Sequence, residues 1–234
     1  SKELYKMKVL VGCEESQAVT IEFRKLGIEA YSCDIQECSG GHPEWHIQDD
    51  LLKVIENNNW DMMIAHPPCT FLTVTANKWL KDQQKRESGK LVGEERRRAK
   101  LEAESFFLTL LNCSIPKICL ENPIGSVNSI FSPTQIIHPY YFGDAASKAT
   151  CLWLKNLPPL HHVKEINLFD KVVTHVEPEF YTTKTGKKYP KWSMIDAAKI
   201  KDMDERSKFR SKTFEGIAKA MAAQWSKYLI EKSI

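Results

Sequence analysis

Cys69 and Glu121 are the two residues whose types and placement could do covalent chemistry. Cys69 follows Pro67-Pro68, and Glu121 heads the triad Glu121-Asn122-Pro123. Each sits just after a short apolar run, Asp61-Met62-Met63-Ile64-Ala65 in the first case and Ile115-Pro116-Lys117-Ile118-Cys119-Leu120 in the second. Such runs read as buried parallel strands. A thiol and a carboxyl at the carboxyl ends of neighbouring strands stand where open α/β sheets place their ligands. A thiolate can attack an electron-poor ring, and an acid beside it can take up the displaced charge. Alone, Cys69 would read as a small buried residue and Glu121 as a helix-capping acid. In register they reinforce each other.

The elements that must hold them alternate in type. Residues 8–12 read as a strand, and 16–26 as a helix with Val19, Phe23 and Leu26 on one face, stopped by Gly27. Residues 28–33 and 46–48 read as further strands ending at Asp34 and at Asp49-Asp50, residues 51–57 as a short helix, and 61–65 as a fourth strand. A long helix over 94–111 leads to the strand before Glu121. Residues 134–142 read as extended and 150–154 as a strand. Around Thr185-Gly186 the pattern suggests a hairpin. A last helix covers 216–229. This order predicts an α/β fold, a doubly wound, mostly parallel sheet. We expect a core of residues 1–159 plus 206–234, and a small basic C-terminal subdomain at 160–205.

The chain has 234 residues, 42% of them apolar, and a net charge of +3. That suffices for one full core. So mild an excess of charge means that any nucleic-acid footprint must come from local clusters. The seven cysteines form no Cys-x-x-Cys pair, which argues against a structural zinc site or a disulfide scaffold and for a reducing compartment. No apolar run approaches the roughly 18 residues of a membrane span. The expectation is a cytoplasmic protein without membrane or metal.

On these residues the chain resembles the cytosine-5 DNA methyltransferases, and most closely their compact, phage-type members. The likeness covers most of residues 8–154 and the last helix. Val11-Gly12-Cys13-Glu14 takes the place of the family's first glycine loop, Asp34 that of the acid after the second strand, and Asp50-Leu51 that of the third-strand pair. Residues 61–69 resemble the Pro-Cys motif, and Glu121-Asn122-Pro123 the Glu-Asn-Val motif. There are departures. Only Gly12 remains of the glycine loop, and Lys148 and Thr150 stand where the family carries arginines. Little chain is left for a target-recognition domain.

The resemblance implies methyl transfer from S-adenosylmethionine to carbon 5 of cytosine in DNA. Cys69 would attack carbon 6 as a thiolate, its pKa lowered from about 8.5. Glu121 would hold or donate a proton at ring nitrogen 3, its pKa raised by burial. Lys148 would neutralise a phosphate or orient a carbonyl. For the cofactor, Asp34 suits a ribose diol, Asp50 the adenine amino group (with Asp49 a competitor), and Leu51 the ring face. Gly12 would admit the methionine backbone. Cys13, Glu14, Ser16, Ile35, His66 and Pro67 complete the implied cofactor set. Arg96, Arg97, Lys187, Lys188, Trp192, Arg206 and Arg210 are the candidate nucleic-acid contacts, salt-sensitive through counterion release. A duplex target would have to be flipped out. Two other readings stay open. One is the same chemistry on a free nucleotide, on RNA or with a modified cofactor. The other is a catalytically degenerate DNA-binding protein.

Overall fold

In a computed structural model the described residues are 7–85 and 87–231. The elements are β1 (Lys8–Gly12), α1 (Ala18–Lys25), β2 (Glu29–Asp34), β3 (His46–Gln48), α2 (Leu51–Glu56), β4 (Met62–Ala65), α3 (Gly93–Leu111) and β5 (Ile118–Pro123). There follow α4 (Val127–Ile130), β6 (Gln135–Ile137), β7 (Thr150–Lys155), β8 (Phe180–Thr182), β9 (Lys188–Pro190), α5 (Met203–Ser211) and α6 (Glu215–Glu231). None of the described helices is long and apolar enough to cross a membrane.

Seven strands form one sheet in the order β3-β2-β1-β4-β5-β7-β6. The first five are mutually parallel, and β7 runs antiparallel to both of its neighbours. The expected α/β, mostly parallel architecture is what the chain adopts. Successive side chains on a strand point to opposite faces, and both faces are covered. Val9, Val11, Met62 and Ile64 pack with Phe23 of α1 and with Ile217, Met221 and Trp225 of α6. On the other face Leu10, Met63, Ala65 and Leu120 pack with Leu51 and Val54 of α2 and Phe107 and Leu110 of α3. Gly27 adopts φ +77° just past α1, the left-handed stop read from the sequence.

The chain order reverses between β1 and β4, and this switch point is where the loops after two adjacent strands diverge and leave a crevice. A second feature matters as much. β4 pairs with β5 only as far as Ala65 opposite Leu120, whereas β5 continues beside β7 through Glu121, Asn122 and Pro123. Those three residues overhang the end of β4, and the chain leaving β4 packs against them.

Two expectations are corrected. Within 134–142 only β6 is extended; Pro139–Phe142 winds into a 3-10 turn. The strand before Glu121 does not end there but runs on to Pro123, because β7 supplies an antiparallel partner. At the start of the segment from 160, Leu160 and Val163 are buried, and Gln224 of α6 bonds both the amide and the carbonyl of His161. Further on, β8 and β9 form the expected hairpin with Gly186 at φ +81°.

Candidate active site

The loop after β4 is pinned to the overhang of β5 by two side-chain contacts and to α3 by a third. Asn122 Nδ2 donates to the Pro67 carbonyl at 2.7 Å. His66 Nδ1 lies 2.8 Å from Glu121 Oε2. Arg96 on α3 donates to the Thr70 carbonyl at 2.7 Å, with its guanidinium over the Phe71 ring at 4.6 Å. The turn closes with the amides of Leu72 and Thr73 on the Cys69 carbonyl. Gly125 packs so tightly on this loop that a Cβ there would meet the Leu72 carbonyl oxygen at 2.2 Å. Two distant sequence motifs thus become one rigid unit.

A cavity of about 680 Å³ opens at the switch point. Cys69, His66 and Thr70 line it from the loop after β4, and Cys13, Glu14 and Ser16 from the loop after β1. Asp34, Ile35, Asp49, Asp50 and Leu51 form the side beneath β2 and β3. Asp34 accepts from the Gln36 amide with one oxygen, and Asp50 caps α2 through the Leu52 amide with one oxygen. In each carboxylate the second oxygen is left for a ligand. Ile35 is 76% exposed at the rim, an apolar surface suited to an aromatic ring. Carboxylates, an apolar shelf and a thiol thus share one cleft.

Some sequence expectations change here. A Cβ on Gly12 would meet Leu51 Cδ2 at 2.6 Å, so the glycine admits the Leu51 side chain rather than a ligand. Glu14 is buried, and its carboxylate receives the Val19 amide at 2.5 Å and the Thr20 hydroxyl at 2.8 Å. It caps α1, and burial raises its pKa. Pro67 contributes its carbonyl to Asn122 and is not on the cavity wall. Cys13 holds φ +56°, and burial, with Asp34 next, pushes its thiol up to about 12, which keeps it protonated at neutral pH.

The electrostatics of the reactive pair run against the sequence expectation on both counts. Burial first, then the charge of Glu121, raises the Cys69 pKa, while Lys148 opposes them. The resting group is therefore a thiol, not a thiolate. Burial works to raise the Glu121 pKa, but the hydrogen bond and charge of His66, helped by Lys148, outweigh it and the carboxyl stands below its ordinary value. For His66, burial disfavours the charge, yet Glu121 and then Glu14 overcome it and the pKa stands above 6.5. Its Nε2 is buried and has no hydrogen-bond partner among the described residues, which costs about 1–3 kcal/mol if nothing meets it.

Linkage turns these shifts into a prediction. The raised His66 contributes stability that is complete below 6.5 and is lost as pH rises through its folded value. The lowered Glu121 contributes stability that is complete above 4.5 and is lost as pH falls through its folded value. Urea midpoints of the wild type and Glu121→Gln are expected to differ most between pH 4.5 and 6.5 and to converge on either side. A gap independent of pH would contradict an ionic pair.

Lys148 sits at the edge of the site, its Nζ on the Arg210 carbonyl at 3.0 Å and 5.5 Å from the Trp192 ring centre. That carbonyl belongs to the last turn of α5, where a cation is favoured. Among the candidate nucleic-acid contacts, Arg96 is buried and committed to the Cys69 loop, so it is not placed to meet a phosphate. Arg97 bonds the Leu80 carbonyl and Asp82. Trp192 donates to the Ser147 carbonyl and packs edge-on against Phe214. Arg206 bonds the Ile200 carbonyl, and Arg210 that of Ser193. Lys187 and Lys188 are exposed on the β8–β9 hairpin, beside the cross-strand pair of exposed tyrosines, Tyr181 and Tyr189. The hairpin therefore offers stacking surfaces that Trp192 does not.

The sequence reading gave no role to the α5 residues that form one wall of the cavity. Asp204, Ser207, Lys208 and Ser211 of α5, with Lys212 and Thr213 beyond it, face the acidic side. Their spacing over 204–211 is one polar helix face, and α5 buries no residue.

No family model matches this chain, and no curated protein matches it. Among solved structures, one similar chain is described as a DNA modification methyltransferase encoded within a prophage of E. coli. It shows 11% identity and a TM-score of 0.39 over 63% of this chain and 46% of its own length. Another is an rRNA methylase from Escherichia coli, at 12% identity and a TM-score of 0.33 over 63% of this chain and 56% of its own. The chain thus spans about half the length of each. At that level of likeness, function has to be read from the site itself.

Proposed function

We propose that this protein transfers the methyl group of S-adenosylmethionine to carbon 5 of cytosine in DNA, through a covalent adduct at Cys69. One observation supports the reading: Cys69, His66 and the carboxylates Asp34 and Asp50 line a single cavity, and Glu121, which is not itself among the lining residues, is bonded to His66. Asp34 would hold the ribose diol, Asp50 the adenine amino group, and Ile35 and Leu51 the adenine faces. Bound there, the cofactor supplies an electrophilic methyl group. Cys69 would add to carbon 6 of the flipped base, and Glu121 would meet ring nitrogen 3. Lys148 favours both the thiolate and the carboxylate. Lys187, Lys188 and the exposed tyrosines of the hairpin are the surfaces best free to follow a phosphate backbone. Residues 160–205 would serve as a reduced target-recognition segment, and the whole as a bacterial or phage-borne cytoplasmic enzyme.

A second reading is favoured by Lys208 and Lys212 on the cavity wall, since two cations suit a nucleotide phosphate. Incubation with methyl-labelled S-adenosylmethionine and, in parallel, duplex DNA, single strands, RNA and dCTP separates the two. Label in the duplex, lost with Cys69→Ala, is the expected result. Label in dCTP alone would overturn the DNA reading.

A further inference from the structure

His66 is the residue by which the loop carrying Cys69 grips the strand carrying Glu121. Its Nδ1 lies 2.8 Å from Glu121 Oε2, and the two side chains are only 10% and 12% exposed. Its Nε2 is buried and has no hydrogen-bond partner among the described residues, although His66 lines the cavity with Cys69. Charged groups bear on the ring from three sides: Glu121 on β5, Glu14 after β1 and Lys148 before β7. The titratable thiol of Cys69 stands on the same loop. Both carboxylates favour a proton on the imidazole, and Lys148 opposes it. A histidine kept only for packing has its buried nitrogens satisfied. This one commits one nitrogen to the candidate acid and none to anything else.

Resting on the reading of Glu121 as the group that meets the ring, we propose that His66 is a positioning residue for Glu121. Its Nδ1 fixes Oε2, leaving Oε1 for the incoming pyrimidine, and the imidazole–carboxyl pair stores the one proton that ring nitrogen 3 takes. The thiol first gives its proton to solvent. The sulfur lone pair forms the bond to carbon 6, and the carbon 5–carbon 6 π pair moves through carbon 4 towards nitrogen 3. Nitrogen 3 takes the stored proton, which leaves a neutral imidazole donating from Nδ1 to a Glu121 carboxylate. Once carbon 5 carries the methyl group that the bound cofactor would supply, it gives its hydrogen to solvent as a proton, the C–H pair re-forms the carbon 5–carbon 6 double bond, and the carbon 6–sulfur pair leaves with the sulfur, which takes a proton back from solvent. Nitrogen 3 then returns its proton to the pair.

Two measurements on the full chain test this. The first follows the His66 imidazole by nitrogen-15 NMR titration without substrate, in the wild type and in Glu121→Gln. His66 is expected to titrate lower in the variant, since one of the two carboxylates that retain its proton is gone. The second compares kcat, cofactor KM and pH profiles for wild type, His66→Ala and His66→Asn on duplex DNA with S-adenosylmethionine. His66→Ala is expected to lose about 10²-fold in kcat with cofactor KM unchanged. In His66→Asn an amide N–H can replace the Nδ1 donor but stores no proton. It is expected to recover part of the rate while its alkaline limb moves, because that limb reports loss of the stored proton as pH rises. An unchanged His66 titration in Glu121→Gln, or wild-type kcat and pH profile in both His66 variants, overturns the proposal. Failure of the parent reading is distinguishable: wild type then transfers nothing at any pH while His66 still responds to Glu121. That result overturns the ring-nitrogen step alone.

Discussion

Replacing Cys69 by serine is expected to lower methyl transfer by about 10⁴-fold or more while cofactor binding and fold persist. The reasoning starts from the resting state. Cys69 is a thiol whose pKa is raised by burial and by Glu121, so the reactive thiolate is scarce at neutral pH and grows tenfold per pH unit. A serine hydroxyl has no accessible anion in this range. Its environment, built from an acidic wall and a carboxylate pair, would not create one. Isothermal titration with S-adenosylmethionine separates loss of chemistry from loss of binding. Retained transfer in Cys69→Ser would mean that the sulfur is a bystander.

Glu121→Gln is the second large effect, expected at about 10²–10³-fold in kcat with cofactor affinity unchanged. The amide can still occupy the place of the carboxyl, but it can neither accept the Nδ1 proton nor pass one on. Wild-type activity should rise with pH as Cys69 ionises and fall again as the His66–Glu121 pair loses its proton. In Glu121→Gln the falling limb tied to that pair should vanish. A variant that keeps an unchanged bell-shaped profile would assign the limb to another group.

Much of this site was legible in the sequence because strand ends are. Apolar runs before Cys69 and Glu121 gave away two neighbouring parallel strands, and the acids at 34 and 50 marked two more strand ends. The overhang of β5 was not legible. It depends on antiparallel pairing of Glu121–Pro123 with Thr150–Leu152, a long-range choice that no local pattern encodes. The lowered Glu121 pKa escaped for the same reason, since it arises from His66 meeting a residue 55 positions away, and the raised Cys69 pKa escaped because it comes first from burial in the folded chain. Arg96 is different, because a signal existed. Arg96, Ala103, Phe107 and Leu110 recur at the spacing of one helix face, which sets Arg96 apart from the exposed Arg97 and Arg98. The α5 wall had no such signal: a helix that buries nothing leaves no apolar stripe.

The most direct test of Cys69 as the nucleophile is covalent capture. The protein is incubated with S-adenosylmethionine and a duplex carrying 5-fluorocytosine at its target site, then read by intact-mass and peptide mass spectrometry. Fluorine at carbon 5 blocks the final proton loss, so a methylated base should remain attached through carbon 6 to Cys69, and no adduct should form in Cys69→Ala. A wild-type chain shown to bind the cofactor and the duplex, yet yielding no adduct at residue 69, would contradict the account.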